Sequence, residues 1–547
     1  LYLNGDLKGQ TEMTGSVASS SYPLEIANQN NNNTTFFDGS IDEISLWDTA
    51  LNQSEIQSYM TTSPIGNESN IVAYWNFNDG DGSTLTDLSA NGNHGTINGA
   101  TWSTDIPTSL TYVPDDNFEQ ALIDLGYDDT LDDYVLTENI SSVTSLAVGD
   151  KDISNLTGIE DFTSLTSLDC RFNDLTSLDL TGLTDLTYLD FATNQLTSID
   201  LSNNTSLEYL YAQNNQLTSM DLGSMSSLIH IYYNYNQLPS LDLSANTGLV
   251  RIECTDNGIT SIDVSGLTAL EELTCFQNEL TSLDVSTNNA LTLLDCKSNQ
   301  LTSLDVSTNS NLTQLICSNN SLTVLDISGL SSLSTLRCDG NQLTSIDATN
   351  NASLQILDAS ANNIVSASIH PDVPEVRLQN NSISQIDLSN NTGLRNLSLE
   401  GNSLTSLDVS SNVLLTELRC NNNQLTALNL ENNSALFELW VHDNQLTSMD
   451  VSSNPILHII VGMNNQISDL TLNTAIQNLY CGNNQLTSLD VSQTNLNILS
   501  CGGNQLTYLN IKTLENQLNS FNAQNNSLTC IETLDPDWAS ATWTENI

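Results

Sequence analysis

Basic residues are scarce in this chain: 10 Lys+Arg stand against 65 Asp+Glu over 547 residues, a formal net charge of −55. That imbalance excludes a nucleic-acid backbone or an anionic membrane as an electrostatic partner. Long apolar runs are missing too. None approaches the roughly 18 residues of a membrane-crossing helix, so no membrane insertion is expected. Histidine is sparse, and His94, His230, His370, His442 and His458 stand in no triad or zinc-type spacing. Carboxylates are so abundant that a glycosidase pair could be picked almost anywhere, which leaves no specific signal for one, and the chain does not read as an enzyme. Only 14% of residues are charged, yet disorder is excluded, because the 38% of hydrophobic residues are evenly spread and periodic. A chain of this length holds several domains or one long repeat array.

The repeat is explicit. From Val143 onward the pattern L-x-x-L-x-C/L-x-x-N-x-L-x-x-L-D-L/V recurs in 19 coils, mostly 21 residues apart, with shorter steps into Val373, Ile476 and Leu496. Apolar residues at coil positions 1, 4, 6, 11, 14 and 16 point inward, and only stacking buries that face. Positions 3 to 7 are expected to form a short strand, with successive strands parallel and about 4.8 Å apart, a ladder of roughly 85 Å along its arc. Position 9 is Asn in 18 of 19 coils, Lys151 being the exception. An amide carries both a donor and an acceptor, so this Asn is expected to satisfy inward-facing backbone groups.

These residues resemble the leucine-rich repeat proteins, specifically the 21-residue IRREKO type, as in "LTSLDVSTNNALTLLDCKSNQ" at 280–300. The Cys at position 6 is similar to the cysteine ladder of internalin J-like bacterial surface adhesins. The segment 112–136 resembles the helical N-terminal cap of surface leucine-rich repeats in Flavobacteria-like bacteria, with Asp115 or Asp116 as N-cap and Phe118, Leu122 and Leu125 on one face. The end of the chain resembles the matching C-terminal cap. Residues 1–60 resemble the last strands of a concanavalin/laminin-G-like jelly roll, with a hairpin turn at Asn4-Gly5, a strand around Ile41, Ile44 and Leu46, and a short helix from Ser54-Glu55-Ile56. Residues 70–102 resemble the opening strands of the same fold, which implies a cropped or degenerate jelly roll. The expected organisation is an all-β partial jelly roll over 1–106, a helical cap over 107–142, a leucine-rich repeat solenoid with a parallel β ladder over 143–530, and a C-terminal cap over 531–547. Leu1 reads as mid-strand, so any secretion signal is expected upstream.

Ten Cys would ordinarily mean five disulfides. Nine of them occupy core position 6 and Cys530 lies outside, so free, packed thiols are expected, since parallel Cβ vectors hold neighbouring sulfurs in poor geometry. Position 15 is Asp in 13 coils, nine of them consecutive from Asp179 to Asp347. Two readings of that stripe stand, hydrogen bonding to nearby Ser, Thr and backbone N–H, or loosely bound Ca2+, the one cofactor the sequence brings into view. In the jelly roll, Asp38 and Asp42, with Asp79 and Asp81, are candidate Ca2+ ligands. Asp128, Asp129, Asp132 and Asp133 lack EF-hand spacing.

The strand face carries the binding candidates. One patch gathers Tyr188, Tyr209, Tyr211, His230, Tyr232 and Arg251, with Phe172 and Tyr235. A second gathers Trp440, His442 and Tyr480, with Ile459, Val461 and Met463 exposed beside the Trp. Arg337, Arg377 and Arg419 lie between them. Seven of the ten bases fall at positions 2 to 8, which points to an acidic partner such as an acidic glycan on that face. The sequence thus predicts a secreted or bacterial cell-surface monomer that binds an extracellular glycoprotein or polysaccharide, and the internalin-type resemblance implies an adhesin. Two rivals stand beside it: a carbohydrate-binding appendage of a larger polysaccharide-degrading enzyme, and a structural spacer.

Overall fold

A computed structural model describes residues 2–3, 6–7, 23–27, 37, 39–61, 63–103, 109–512, 518–534 and 537. The chain divides into two compact units, 1–108 and 109–547.

In the first unit, Tyr2–Leu3 pairs antiparallel with Asp6–Leu7 in the register of a two-residue hairpin loop. Ile44–Trp47 pairs antiparallel with Ile71–Trp75, so the two segments read as opposite ends of a jelly roll share one sheet. Helix Gln53–Thr61 lies between them in sequence, opened by a reciprocal cap. The Glu55 N–H donates to Asn52 Oδ1 at 3.0 Å, and Glu55 Oε2 accepts from the Asn52 N–H at 2.7 Å. A small core of Ala73, Trp75 and Leu85, joined by Ile44, Phe77, Ile97 and Trp102, holds the unit together. The strand expected around Ile41, Ile44 and Leu46 runs over Ile44–Trp47, and Leu46 is exposed in it.

The second unit is a parallel β-solenoid. Nineteen strands, from Ser145–Ala147 to Ser520–Asn522, each pair in parallel with the next. Each is three residues long, shorter than the five expected, because the backbone turns sharply at position 8. There φ is positive in coil after coil, as at Phe172, Thr193, Asn214, Tyr235, Asn319, Asn422 and Asn483. Asn, Asp and Gly dominate that column because they enter the left-handed region at least cost. Leu at positions 1, 4 and 11 and Cys or Leu at position 6 form one continuous buried core. Further parallel pairings lie opposite the main ladder, among them Ser345–Ala348 with Ser366–Ile369 and Ser448–Asp450 with Asp469–Thr471.

Two columns of asparagine stitch the coils. At position 9, Asn341 Nδ2 donates to the carbonyls of Cys317 at 3.0 Å and Cys338 at 3.1 Å, while its Oδ1 accepts from the Leu322 N–H at 3.0 Å. The same pattern recurs along the array, for example at Asn278 and Asn444. A second column at position 19 is wholly buried. Asn288 Nδ2 donates to the carbonyls of Val264 and Leu267, and Asn309 Nδ2 to those of Val285 and Asn288.

Helix Asp116–Leu125 closes the N-terminal end of this unit. Its N-cap is Asp115, whose Oδ1 accepts from the N–H groups of Asn117 and Phe118. The other oxygen accepts from the Ser154 N–H, Ser154 Oγ and the Asn155 N–H, tying the helix to the first coil. Phe118, Ala121 and Leu122 join the solenoid core. Leu125, expected on that face, is exposed, because the helix ends there at left-handed Gly126. Most of the C-terminal cap expected over 531–547 lies outside the described residues. All ten Cys are free, nine buried and Cys530 exposed.

Candidate binding surface

The three-residue strands alternate outward, inward, outward, so positions 3 and 5 face the same side, coil after coil. The strictly parallel register then brings like positions together: Tyr188, Tyr209, His230 and Arg251 in one column, Tyr211 and Tyr232 in the next. The rings form a continuous array. Tyr211 stacks on Tyr232 with centroids 4.7 Å apart and planes 9° apart. Tyr188 meets Tyr211 at 5.3 Å, and Tyr209 meets His230 edge-on at 5.2 Å. Arg251 closes the row, donating from Nη1 to Tyr232 Oη at 3.1 Å and pairing through Nη2 with Glu272. The patch is half-buried and fixed before any partner arrives. Burial raises the Tyr188 phenol to about 12 and lowers the His230 imidazole, helped by the Arg251 charge. Tyr188 and His230 therefore meet a partner uncharged at pH 7.

The second patch is narrower than expected. The Arg419 guanidinium lies 4.8 Å from the Trp440 ring centroid, a cation–π contact, and is held by Glu417 and by Glu438 at 4.0 Å. His442 sits 6.1 Å from Trp440, and burial lowers its pKa. Ile459, Met463 and Tyr480 are half-buried around them. Val461, expected to be exposed, is only 7% exposed: it stands on the outward side of its strand, outside the core cluster, and its neighbours on that face cover it. Between the patches, Arg377 spans Asp358 and Glu375, and a shallow depression of about 300 Å³ opens among Glu375, Arg377, Glu400, Glu417 and Arg419. Arg337 is exposed in its column.

The expectation of a basic face for an acidic partner is overturned. Arg171, Arg251, Lys297, Arg377 and Arg419 each pair with carboxylates of the same face. Positions 2 to 8 carry 16 carboxylates against those seven bases, so the face is acidic on balance. Coil columns taken one at a time do not show the acids, which are neighbours of the bases across the ladder. Glu272, Glu417 and Glu438 hold the arginines in place, and a Glu one coil or two residues from an Arg was the signal for them.

On the opposite side, each stripe Asp closes a turn on the residue two positions ahead. Asp305 Oδ1 accepts from the Ser307 N–H at 2.9 Å, and Asp179 Oδ1 from both the N–H and Oγ1 of Thr181. These bonds hold the carboxyls of Asp284, Asp305 and Asp326 below the ordinary value of 3.8. A depressed folded-state pKa gives stability that is present above the unfolded value and lost as pH falls through the folded one. Acid unfolding should therefore set in below about pH 3.8. The variant Asp284→Asn/Asp305→Asn/Asp326→Asn, which keeps the acceptor but cannot titrate, should unfold at lower pH in a circular-dichroism titration. An unchanged acid midpoint would count against this role.

No group of three or more His, Cys, Asp or Glu converges to hold a metal ion among the described residues. Asp42 is exposed and accepts from the Glu43 N–H, and Asp79 accepts from the Thr86 N–H at 2.8 Å. Asp38 lies outside the described residues. No described helix is long and apolar enough to cross a membrane.

Residues 1–57 match the concanavalin A-like lectin/glucanase superfamily. The solved functional domain of internalin J from Listeria monocytogenes, which includes a cysteine ladder, is 32% identical, with a TM-score of 0.51 over 64% of this chain and 79% of that one. Among curated proteins, internalin J of Listeria monocytogenes serotype 4b (strain F2365) is 36% identical over 70 residues, which are 13% of this chain and 8% of that protein's length. YopM from Yersinia enterocolitica WA-314 shares the fold at 23% identity, with a TM-score of 0.59 over 72% of this chain and 90% of that one.

Proposed function

The chain belongs to the internalin J-like leucine-rich repeat proteins, and from that premise we propose that it is a secreted or cell-surface adhesin that binds an extracellular glycoprotein or polysaccharide through the strand face of its solenoid. The observation that carries this reading is the fixed row Tyr188–Tyr211–Tyr232–Arg251. Ordering flexible side chains costs binding energy, and here stacking and the Arg251–Glu272 pair have already ordered them. Tyr and Arg also supply the ring faces, hydroxyls and planar donors that dominate energetic hot spots. Tyr188, Tyr209, Tyr211, His230, Tyr232 and Arg251 make the principal contact surface, and Arg337, Arg377, Arg419, Trp440, His442 and Tyr480 extend it along the ladder. The chain acts as a monomer, with a partial jelly roll over 1–106, a cap over 107–142, the solenoid over 143–530 and a cap over 531–547.

A screen of immobilised glycans, mucins and extracellular-matrix proteins, with and without Ca2+, tests the proposal. The parent should bind at least one surface, and Tyr211→Ala should weaken that binding by about tenfold or more, the loss of one hot-spot side chain. Binding to no surface, or equal binding by parent, Tyr211→Ala and Trp440→Ala, would leave the spacer role in its place.

A further inference from the structure

The edge of the ladder in the coils around Trp440 departs from the rest of the repeat. Position 2 is Thr or Ser in seven coils, and there its hydroxyl can donate to the carbonyl at position 2 of the preceding coil, as Thr187 does to Thr166, Thr313 to Thr292 and Thr416 to Arg395. At Phe437 and His458 that hydroxyl ladder is replaced by two rings, 4.6 Å apart. Position 21 is small or polar in most coils, for example Ser206, Gly248, Ala290 and Ser332, but it is Leu414 and Ile456 here. Position 20 is usually Thr or Ser, but it is Val413 here. The parallel register keeps these substitutions adjacent, since the Phe437 N–H donates to the Thr416 carbonyl and the His458 N–H to the Phe437 carbonyl. None serves the core: Val413 is 48% exposed, Leu414 39%, Phe437 42% and Ile456 47%. Columns 20 and 21, polar or small in most coils, thus turn apolar in one neighbourhood, and column 2, aliphatic at Ile229 and Val250, carries two rings there, next to the strand that bears Trp440. An exposed apolar patch of this kind is a contact surface or an aggregation hazard.

We propose that this shoulder, Val413, Leu414, Phe437, Ile456 and His458, is a docking surface for a protein partner that presents an amphipathic segment with apolar anchors and basic flanks. Val413, Leu414 and Ile456 offer a sugar neither hydrogen bonds nor a ring face to stack on, so the surface around the Phe437 and His458 rings matches a polypeptide better than a glycan. Its charge follows from complementarity. The chain carries −55, Asp443 lies in the same coil as Phe437 and Glu431 in the preceding one, and Arg419, the base beside Trp440, is already engaged by Glu417 and Glu438. A field of that sign steers basic partners and repels acidic ones. The proposal rests on the reading of the chain as a binding protein and adds to it a second surface with a different partner chemistry.

The test uses the full chain and a fluorescently labelled amphipathic peptide of Leu and Lys, with a Leu/Glu peptide of the same pattern as control. The variant Leu414→Ser/Phe437→Thr/Ile456→Ser restores the residue types of the neighbouring coils, so it should keep the parent's unfolding midpoint. In anisotropy titrations the Leu/Lys peptide should bind the parent saturably and the triple variant at least about tenfold more weakly. Tyr211→Ala should bind it like the parent, and the Leu/Glu peptide should not bind. Equal affinity for parent and triple variant, or binding of the Leu/Glu peptide, overturns the proposal. So does self-association of the parent in sedimentation that the triple variant abolishes, which would make a second copy the occupant. If the peptide binds as stated while the parent binds no glycan, mucin or matrix surface, the adhesin reading fails and this surface stands.

Discussion

Replacing Asn341 by alanine should lower the free energy of unfolding by about 3–5 kcal/mol. The side chain holds two buried carbonyls and one buried N–H from two successive coils. Each orphaned backbone group costs about 1–3 kcal/mol, and water can reach only part of the space left behind. Substitution by aspartate separates the donor from the acceptor role. It keeps an acceptor for the Leu322 N–H but sets a charge against the Cys317 and Cys338 carbonyls. The folded-state pKa of that aspartate should therefore rise above the unfolded value, so the variant gains stability as pH falls toward it, whereas the parent gains none in that range. Urea unfolding followed by circular dichroism at pH 7 and pH 5 reads both effects. Exposed Asn363 provides the control, where alanine should change stability by no more than about 0.5 kcal/mol. A loss below about 1 kcal/mol at Asn341 would mean that the column is decoration on a core held by leucine alone.

Native protein exposed to iodoacetamide at pH 8 should take up label at Cys530 and nowhere else, and in urea without reductant it should take up label at all ten thiols. Cys254, Cys275, Cys296, Cys317 and Cys338 fill position 6 in five consecutive coils, and all are buried. Burial pushes the Cys254, Cys420 and Cys501 thiols to about 12 and the Cys275, Cys296, Cys317 and Cys481 thiols well up. A thiol with a pKa near 12 is about one part in 10⁴ thiolate at pH 8, roughly a thousandfold below an ordinary cysteine before access is considered. Intact-mass spectra give the count directly. Fewer than about eight modified thiols in urea would reveal disulfides that the parallel Cβ vectors disfavour.

The solenoid was legible because its signal repeats. A Leu or Asn at a fixed coil position has one role, and the register of parallel strands carries that role from coil to coil. The same regularity concealed what is local. The left-handed turn at position 8 cuts the strand to three residues, and no single residue type announces it, since Phe172 and Tyr235 adopt it beside the expected Asn and Gly. Column position makes Val461 an outward residue, which it is, but not an exposed one, because its neighbours on the face cover it. The aromatic row was visible residue by residue. Its order was not, because stacking of Tyr211 on Tyr232 and the hold of Glu272 on Arg251 arise between coils. Charge was the least legible feature, because the carboxylates that neutralise the bases of the strand face lie one coil away or two residues along.

The most direct measurement of the strand face as the binding surface is hydroxyl-radical footprinting of the full chain on the mucin, glycan or matrix surface it binds. Binding should reduce oxidation at Tyr188, Tyr209, Tyr211 and Tyr232, and leave the side chains opposite the ladder, such as exposed Val324, unchanged. Protection at Val324 with the tyrosines still open to oxidation would contradict the account.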